Sequence, residues 1–222
     1  MDEHEFRLLT TWIRQLRIIV GEVRSLLLSS AVFWEVQRIL EANPDALCHR
    51  LFNDWMATNY GNATTMGVRR QIDPDSRSVS LMRLLLQIKD ELVHHPDILS
   101  RGKFVSNYRP EIRTAGEKEF DRLVGVGEAR IELVYVQRDL DRLGAETKGV
   151  RLFANRRIAH RDAREIENRK LGELDHCLKV LAETADRYAR ILTGSGSGIW
   201  PDLPPDWDCV FKTTWIKNAG KD

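Results

Sequence analysis

The feature that most constrains this chain is the spacing of its apolar residues, which follows a helical period over most of its length. In residues 5–30 the apolar side chains recur three or four positions apart: Phe6, Leu9, Ile13, Leu16, Val20, Val23 and Leu27. The spacing returns near the C-terminal part of the chain: Leu171, Leu174, Leu178, Leu181, Ala185, Tyr188 and Leu192. Such spacing places the side chains on one face of an α-helix. We therefore predict an all-α fold, an antiparallel bundle of long helices.

Helix boundaries follow from breaker and capping residues. Leu28-Ser-Ser30 predicts an interruption of the first helix before a second piece at 32–40, and Asn43-Pro44 predicts a helix start. Gly61-Asn62 predicts a break, and 73–78 predicts a turn. Residues 79–93 are apolar on nearly every side, so this helix is predicted to be the most buried.

The middle of the chain is less regular. His94-His95-Pro96 predicts a helix end, because proline cannot continue a helix, and a structural role for the histidine pair is favoured over a ligand role. Residues 97–116 are predicted to be a loop or short turns. They contain a modest basic patch, which is either a solvated connection or the lip of an RNA site: Arg101, Lys103, Arg109 and Arg113.

Four glycines mark further interruptions. Gly125 and Gly127 predict a kink, and Gly144 and Gly149 predict a short link into a helix that begins at Arg151.

The chain divides by composition at residue 193. Residues 1–193 are predicted to form the bundle, and 194–222 a flexible Gly/Ser link and an irregular tail rich in tryptophan and proline. We expect the tail to fold back over apolar surface. Val210–Ile216 is the one stretch that predicts a short strand.

The net charge, the cysteine count and the length of the apolar runs argue against several classes of protein. Thirty-four basic and thirty-three acidic residues give a net charge of +1, so nothing global requires nucleic acid or an anionic membrane. The three cysteines lie far apart, which argues against a disulfide framework or a zinc site. No cofactor or metal is expected. No apolar run is long enough to span a bilayer, and the acidic N-terminus is unlike a signal peptide, so a cytoplasmic location is expected.

Charge is concentrated in one place. From Arg151 to Lys170 there are seven basic side chains (151, 156, 157, 161, 164, 169, 170) and three acidic ones (162, 165, 167), a local balance of +4. The run surrounds a single histidine, His160. Cations beside a histidine favour its neutral, base-competent form, and guanidinium groups bind phosphate. The pattern suits proton abstraction at an RNA backbone.

Asn155-Arg-Arg-Ile-Ala-His160-Arg-Asp162 resembles the motif of HEPN-domain proteins, an arginine followed by four to six residues and a histidine. The block at 73–86 is similar to the corresponding region of the abortive-infection AbiU-like branch of that family. The resemblance covers residues 5–192.

The resemblance implies a helical bundle that forms a homodimer and brings two motifs together at one RNA-cleaving site. It implies a reaction without metal. His160 would take the proton of a ribose 2′-hydroxyl, that oxygen would attack the adjacent phosphate, and the products would carry a 2′,3′-cyclic phosphate and a 5′-hydroxyl. It further implies a toxin–antitoxin, abortive-infection or antiviral defence role, with a cognate antitoxin such as a nucleotidyltransferase.

The chain departs from the family pattern at the motif arginine. Spacers of four, five and six residues before His160 end at Asn155, Ala154 and Phe153, and none of these is arginine. The slot that the family fills with arginine holds Ala154. Loss of one oriented charge-stabilising group costs about 10²–10³ in rate, and an arginine acting on a phosphoryl group contributes about 10³–10⁵.

Three explanations are compatible with this departure. The chain is an inactive relative retained for binding, or an engineered variant in which alanine replaced arginine, or Arg156 substitutes, with Arg157 as the backup. Arg156 lies four residues before His160 and so shares its face in a helix. Binding is expected to survive, since Arg151, Arg156, Arg157 and Arg161 remain to neutralise phosphates.

Other functions also fit the sequence. His160 is equally the kind of polar residue that packs between helices, and the arginines are then a solvated face. The chain would then be a helical interaction module that binds a partner protein through 171–192 and the aromatic tail, or an RNA binder without cleavage.

Overall fold

The computed structural model describes residues 3–43, 50–154 and 171–212. Their helices are α1 Glu3–Ala42, α2 Arg50–Gln71, α3 Leu81–His94, α4 Arg101–Ser106, α5 Arg113–Leu123, α6 Leu133–Phe153, α7 Leu171–Thr193 and α8 Cys209–Lys212. A 3-10 turn, Pro110–Ile112, precedes α5. Within these ranges no strand occurs, and the one β-type contact is an isolated antiparallel bridge between Ser100 and Arg130. The predicted all-α fold is confirmed.

Helix α1 runs without a break, so the interruption predicted at 28–30 is wrong. Ser29 Oγ donates to the Ser25 carbonyl at 3.0 Å, and Ser30 Oγ donates to Asp175 Oδ1 at 2.8 Å. Both hydroxyls are therefore satisfied without leaving the helical conformation.

Helix α2 likewise continues through Gly61-Asn62, and the break predicted there is wrong. Tertiary packing overrides the low helix propensity of glycine. Elsewhere in α2, a glycine is required by packing: a Cβ at Gly67 would lie 2.5 Å from Leu26 Cδ2 on α1. The helix start predicted at Asn43-Pro44 falls partly outside the described residues. Asn43 follows the end of α1 and donates its side-chain amide to the Ile39 carbonyl at 2.8 Å.

Helix α3 forms as predicted after the turn, with Ser80 Oγ capping it by accepting from Arg83 N at 3.0 Å. The prediction that α3 is the most buried helix is wrong, because five of its 14 residues are buried, against 12 of 23 in α7. Helix α7 contributes the most buried residues. The apolar face of α7, predicted to pack in the bundle or against a partner, packs in the bundle: Leu174, Leu178 and Leu181 are buried within this chain.

The segment 97–116, predicted to be a loop or short turns, contains the short helix α4, the 3-10 turn and the start of α5. The two glycines predicted to kink a helix lie instead in the loop between α5 and α6, where Gly125 (φ +141°) and Gly127 (φ +80°) adopt backbone angles that favour glycine. The link predicted at Gly144 and Gly149 is wrong, since α6 is continuous through both.

The long helices pack antiparallel, which gives the bundle two ends. Helices α6 and α7 pair in opposite directions, with Arg142 contacting Glu183 at 2.6 Å and Glu146 contacting His176 at 2.8 Å. We call the end where α6 finishes and α7 begins the motif end, because the segment 155–170 joins the helices there. The far end is where α1 begins and α7 finishes.

The Gly/Ser run after α7 is hydrogen-bonded to the bundle along its length. Tyr108 OH donates to the Gly194 carbonyl at 2.9 Å, and Ser197 Oγ donates to Asp186 Oδ1 at 2.7 Å. Ile199 is fully buried in the core. Beyond it, Cys209–Lys212 is helical rather than the predicted strand, and the remainder of that stretch lies outside the described residues. Among the helices described, none is both long and apolar enough for a membrane span.

Candidate functional site

The structure places two of the residues predicted for the site. Arg151 is exposed on the last turn of α6, and Ala154 follows the end of that helix. The other predicted site residues lie outside the described residues: Asn155, Arg156, Arg157, His160 and Arg161.

The side chain of Ala154 is fully buried, at 0% exposure. The position that the HEPN resemblance predicts as the arginine slot therefore faces the interior of the bundle. An arginine there would need room for a long side chain in a packed region, and overpacking of this kind costs about 1–3 kcal/mol. Arg151, one turn earlier, points into solvent and is available to a phosphate.

A carboxylate at the motif end joins three helices. Asp175, in the second turn of α7, accepts from Ser30 Oγ and Tyr60 OH on its Oδ1, at 2.8 and 2.6 Å. Its Oδ2 accepts from Trp34 Nε1 at 2.7 Å. Burial raises the pKa of the Tyr60 hydroxyl well above its ordinary value, and donation to Asp175 adds to the effect. This network fixes the start of α7 against α1 and α2, and so fixes one attachment point of the segment 155–170.

A second buried carboxylate holds α6 against α7 further along. Asp139 is 4% exposed and accepts from Arg187 Nη1 at 2.7 and 3.0 Å and from Tyr188 OH at 3.1 Å. Burial, with the neighbouring Asp139 carboxylate, raises the pKa of Tyr188 well above its ordinary value. Both helices that flank the arginine-rich segment are thus fixed by satisfied polar contacts.

The motif end also carries an exposed apolar surface on the first turns of α2. Leu51 is 84% exposed, Phe52 55% and Trp55 60%, with the Phe52 and Trp55 rings 5.8 Å apart. Large apolar side chains grouped in this way are typical of interaction surfaces.

The modest basic patch of 101–113 lies at the far end, away from Arg151 at the motif end, and its role as a lip of an RNA site stays a prediction. Arg101 pairs with Glu117 at 2.9 Å and Asp121 at 2.6 Å, and Lys103 pairs with Glu5 at 2.7 Å. These cations hold helices together. The length of α7, about 35 Å at 1.5 Å per residue, separates them from the motif end.

A cluster at the far end was missed by sequence reasoning. His4 on α1 meets Glu91 and His95 at the C-terminal end of α3, and their ligand-type atoms all lie within 4.8 Å of one another. The spacing of Glu91 and His95, four residues apart on one helical face, was the available signal. The proline after His95 directed attention to the helix end, and no local pattern links residue 4 to residue 91.

Comparison of the chain with protein families, with curated proteins and with solved structures finds no match. The functional assignment therefore depends on the chain's own residues.

Proposed function

We propose that this chain acts on RNA as a metal-independent endoribonuclease of the HEPN type, with the run at 151–162 as the segment that contacts RNA. The observation that carries the proposal is the local charge of +4 between residues 151 and 170, in a chain whose net charge is +1. The exposure of Arg151 on the last turn of α6 supports it. Guanidinium groups bind phosphates and supply most of the affinity for a nucleic-acid backbone.

In this proposal His160 is the general base. It takes the proton of the 2′-hydroxyl, O2′ forms a bond to phosphorus, and the bond from phosphorus to the 5′-oxygen breaks. The 5′-oxygen takes a proton from water and leaves as a hydroxyl. Arg156, four residues before His160, stabilises the charge on the phosphoryl oxygens, with Arg157 and Asn155 beside it. Ala154 supplies nothing to this step, because its side chain is buried and apolar. Without the motif arginine, cleavage is expected to be slow.

The active unit of the proposal is a homodimer, since two motifs form one site. Sedimentation at micromolar concentration should show a dimer. A strict monomer would contradict a site formed by two motifs. Binding of RNA by a single chain could still be measured directly.

Cleavage of end-labelled RNA in the presence of EDTA tests the proposal. We expect products that end in cyclic phosphate, formed at a rate that His160→Ala lowers by about 10²-fold or more. His176→Ala is the matched control, because His176 is an exposed histidine of α7 outside the motif. Equal cleavage by the His160→Ala variant, or cleavage that requires an added metal ion, would contradict the proposal. So would the absence of both RNA cleavage and RNA binding.

A second candidate function is a non-enzymatic interaction module. The specific observation in its favour is the exposed apolar surface of Leu51, Phe52 and Trp55. The two functions separate by mutation: Trp55→Ala would abolish the activity of an interaction module and leave RNA binding unchanged, whereas Arg156→Ala would do the reverse.

A further inference from the structure

We infer that His4, Glu91 and His95 form a binding site for one divalent transition-metal ion, with Zn²⁺ as the best fit. Imidazole nitrogens and a carboxylate oxygen are ligands that Zn²⁺ prefers, and two histidines with one glutamate are a ligand set of open zinc sites. The inference is independent of the proposed action on RNA, which uses other residues at the other end of the bundle.

The geometry requires only small side-chain movements. The three ligand atoms lie within 4.8 Å of one another, and His4 Nε2 is 3.8 Å from Glu91 Oε2. Ligands at about 2.0–2.1 Å from a tetrahedral ion are about 3.4 Å apart. The His4 side chain is 56% exposed, so it is free to turn toward the other two. The His4 and His95 rings are already 4.9 Å apart, centroid to centroid.

The backbone fixes the two ligands on α3. His95 caps the helix, and its N–H donates to the Glu91 carbonyl at 2.8 Å. Glu91 and His95 are therefore held one turn apart, on the side of α3 that faces the first turn of α1.

A groove beside the cluster, with polar and apolar lining residues, is the second observation that points to a ligand. It has a volume of about 370 Å³, lies between α1 and α3, and is lined in part by His4 and Glu91. Arg83 and Gln87 also line it, and they continue the i, i+4 series that leads to Glu91 and His95.

Two side-chain atoms of these lining residues have no partner within the described structure. Arg83 Nε and Gln87 Oε1 are both buried and make no hydrogen bond there. An unsatisfied buried donor or acceptor costs about 1–3 kcal/mol, so such groups are rare unless something else binds them. A metal ion with three protein ligands keeps an open position, and the water or anion that fills it supplies hydrogen-bonding atoms.

Zinc titration of the full chain by calorimetry, after removal of metal with a chelator, tests the inference. We expect one equivalent of Zn²⁺ to bind the unmodified chain and to raise its melting temperature. His4→Ala, Glu91→Gln and His95→Ala should each weaken binding by about 100-fold or more. Each variant is checked for folding by its melting temperature without metal.

Two controls make the test specific. His94→Ala removes an exposed histidine adjacent in sequence to His95 but outside the cluster, and should bind Zn²⁺ as the unmodified chain does. Asp90→Asn changes an exposed carboxylate of the groove that is not a ligand and should also retain binding. The inference is overturned if the unmodified chain binds no Zn²⁺, if the three ligand variants bind it normally, or if either control loses binding to the same extent as they do.

Discussion

The motif end and the far end of the bundle both place polar side chains between helices, but they satisfy them differently. At the motif end, both oxygens of Asp175 accept hydrogen bonds from neutral donors on α1 and α2. Beside the groove at the far end, Arg83 Nε and Gln87 Oε1 are buried and have no hydrogen-bond partner among the residues that the structure describes. A satisfied network holds helices in register, whereas an unsatisfied one is a place for a ligand.

The two ends therefore have different roles: the satisfied network at the motif end holds helices in place, and the far-end groove is where we propose that a ligand binds. The Asp175 and Asp139 networks position the two helices from which the segment 155–170 emerges, so their role in the proposed function is indirect. We expect the far-end groove to contribute less to holding the bundle together, because two of its buried polar atoms gain no hydrogen bond from the described part of the chain. Removal of polar groups should therefore lower the stability of the protein at the motif end, and should leave it unchanged or raise it at the far-end groove.

Removal of the Asp175 carboxylate should have the largest effect. Asp175→Ala leaves Ser30, Tyr60 and Trp34 without their acceptor, and we expect the free energy of unfolding to fall by about 2 kcal/mol. Asp141→Ala is the control, since Asp141 is exposed and accepts from Gln137 alone in this structure, and should change stability by less than about 0.5 kcal/mol. Urea unfolding measures both. Equal losses of stability in Asp175→Ala and Asp141→Ala would contradict the proposed role of the Asp175 network.

Alkaline pH should weaken the motif end through Tyr60. Its pKa is raised in the folded chain, so the native state keeps a proton that the unfolded chain loses above about pH 10. The Tyr60 hydroxyl makes its full contribution to the free energy of unfolding below that pH. Above it the contribution falls by about 1.4 kcal/mol per pH unit. Urea unfolding at successive pH values gives the free energy of unfolding as a function of pH. Above about pH 10 this free energy should fall less steeply in Tyr60→Phe than in the unmodified chain, by about 1.4 kcal/mol per pH unit. Identical slopes in the two proteins would show that the hydroxyl is not protected.

Changes in the far-end groove should have the smallest effect on stability. Arg83→Met combined with Gln87→Leu removes two unsatisfied groups and replaces them with apolar side chains of similar size. We expect the free energy of unfolding to change by less than about 1 kcal/mol, or to rise. A loss as large as that of Asp175→Ala would show that these residues hold the bundle and are not free for a ligand.

The sequence predicted the helices whose apolar period was long, and it failed where tertiary contacts decide. The spacing from Phe6 to Leu27 gave α1 correctly, but Ser29 and Gly61 were interpreted as breakers, although hydrogen bonding and packing keep both in helices. The burial of α3 was overestimated from its apolar composition, since composition does not show which face of a helix packs against another helix.

The site could be predicted only where its residues are neighbours in sequence. The arginine-rich run is local, so its charge was visible directly. His4 and Glu91 are 87 positions apart and meet only because α1 and α3 pack antiparallel. The burial of Ala154 likewise depends on how α6 packs, which no motif records.

The most direct test of the account is the salt dependence of RNA binding. Single-stranded RNA is titrated at several salt concentrations against the unmodified chain, Arg156→Ala/Arg157→Ala, and a control of equal charge, Arg109→Ala/Arg113→Ala, in which the two exposed arginines lie away from the motif end. Each lost phosphate contact lowers the salt slope by about 0.7, so the first double variant should lose about 1.4 and the control nothing. Equal losses in both variants, or no RNA binding by the unmodified chain, would contradict the account.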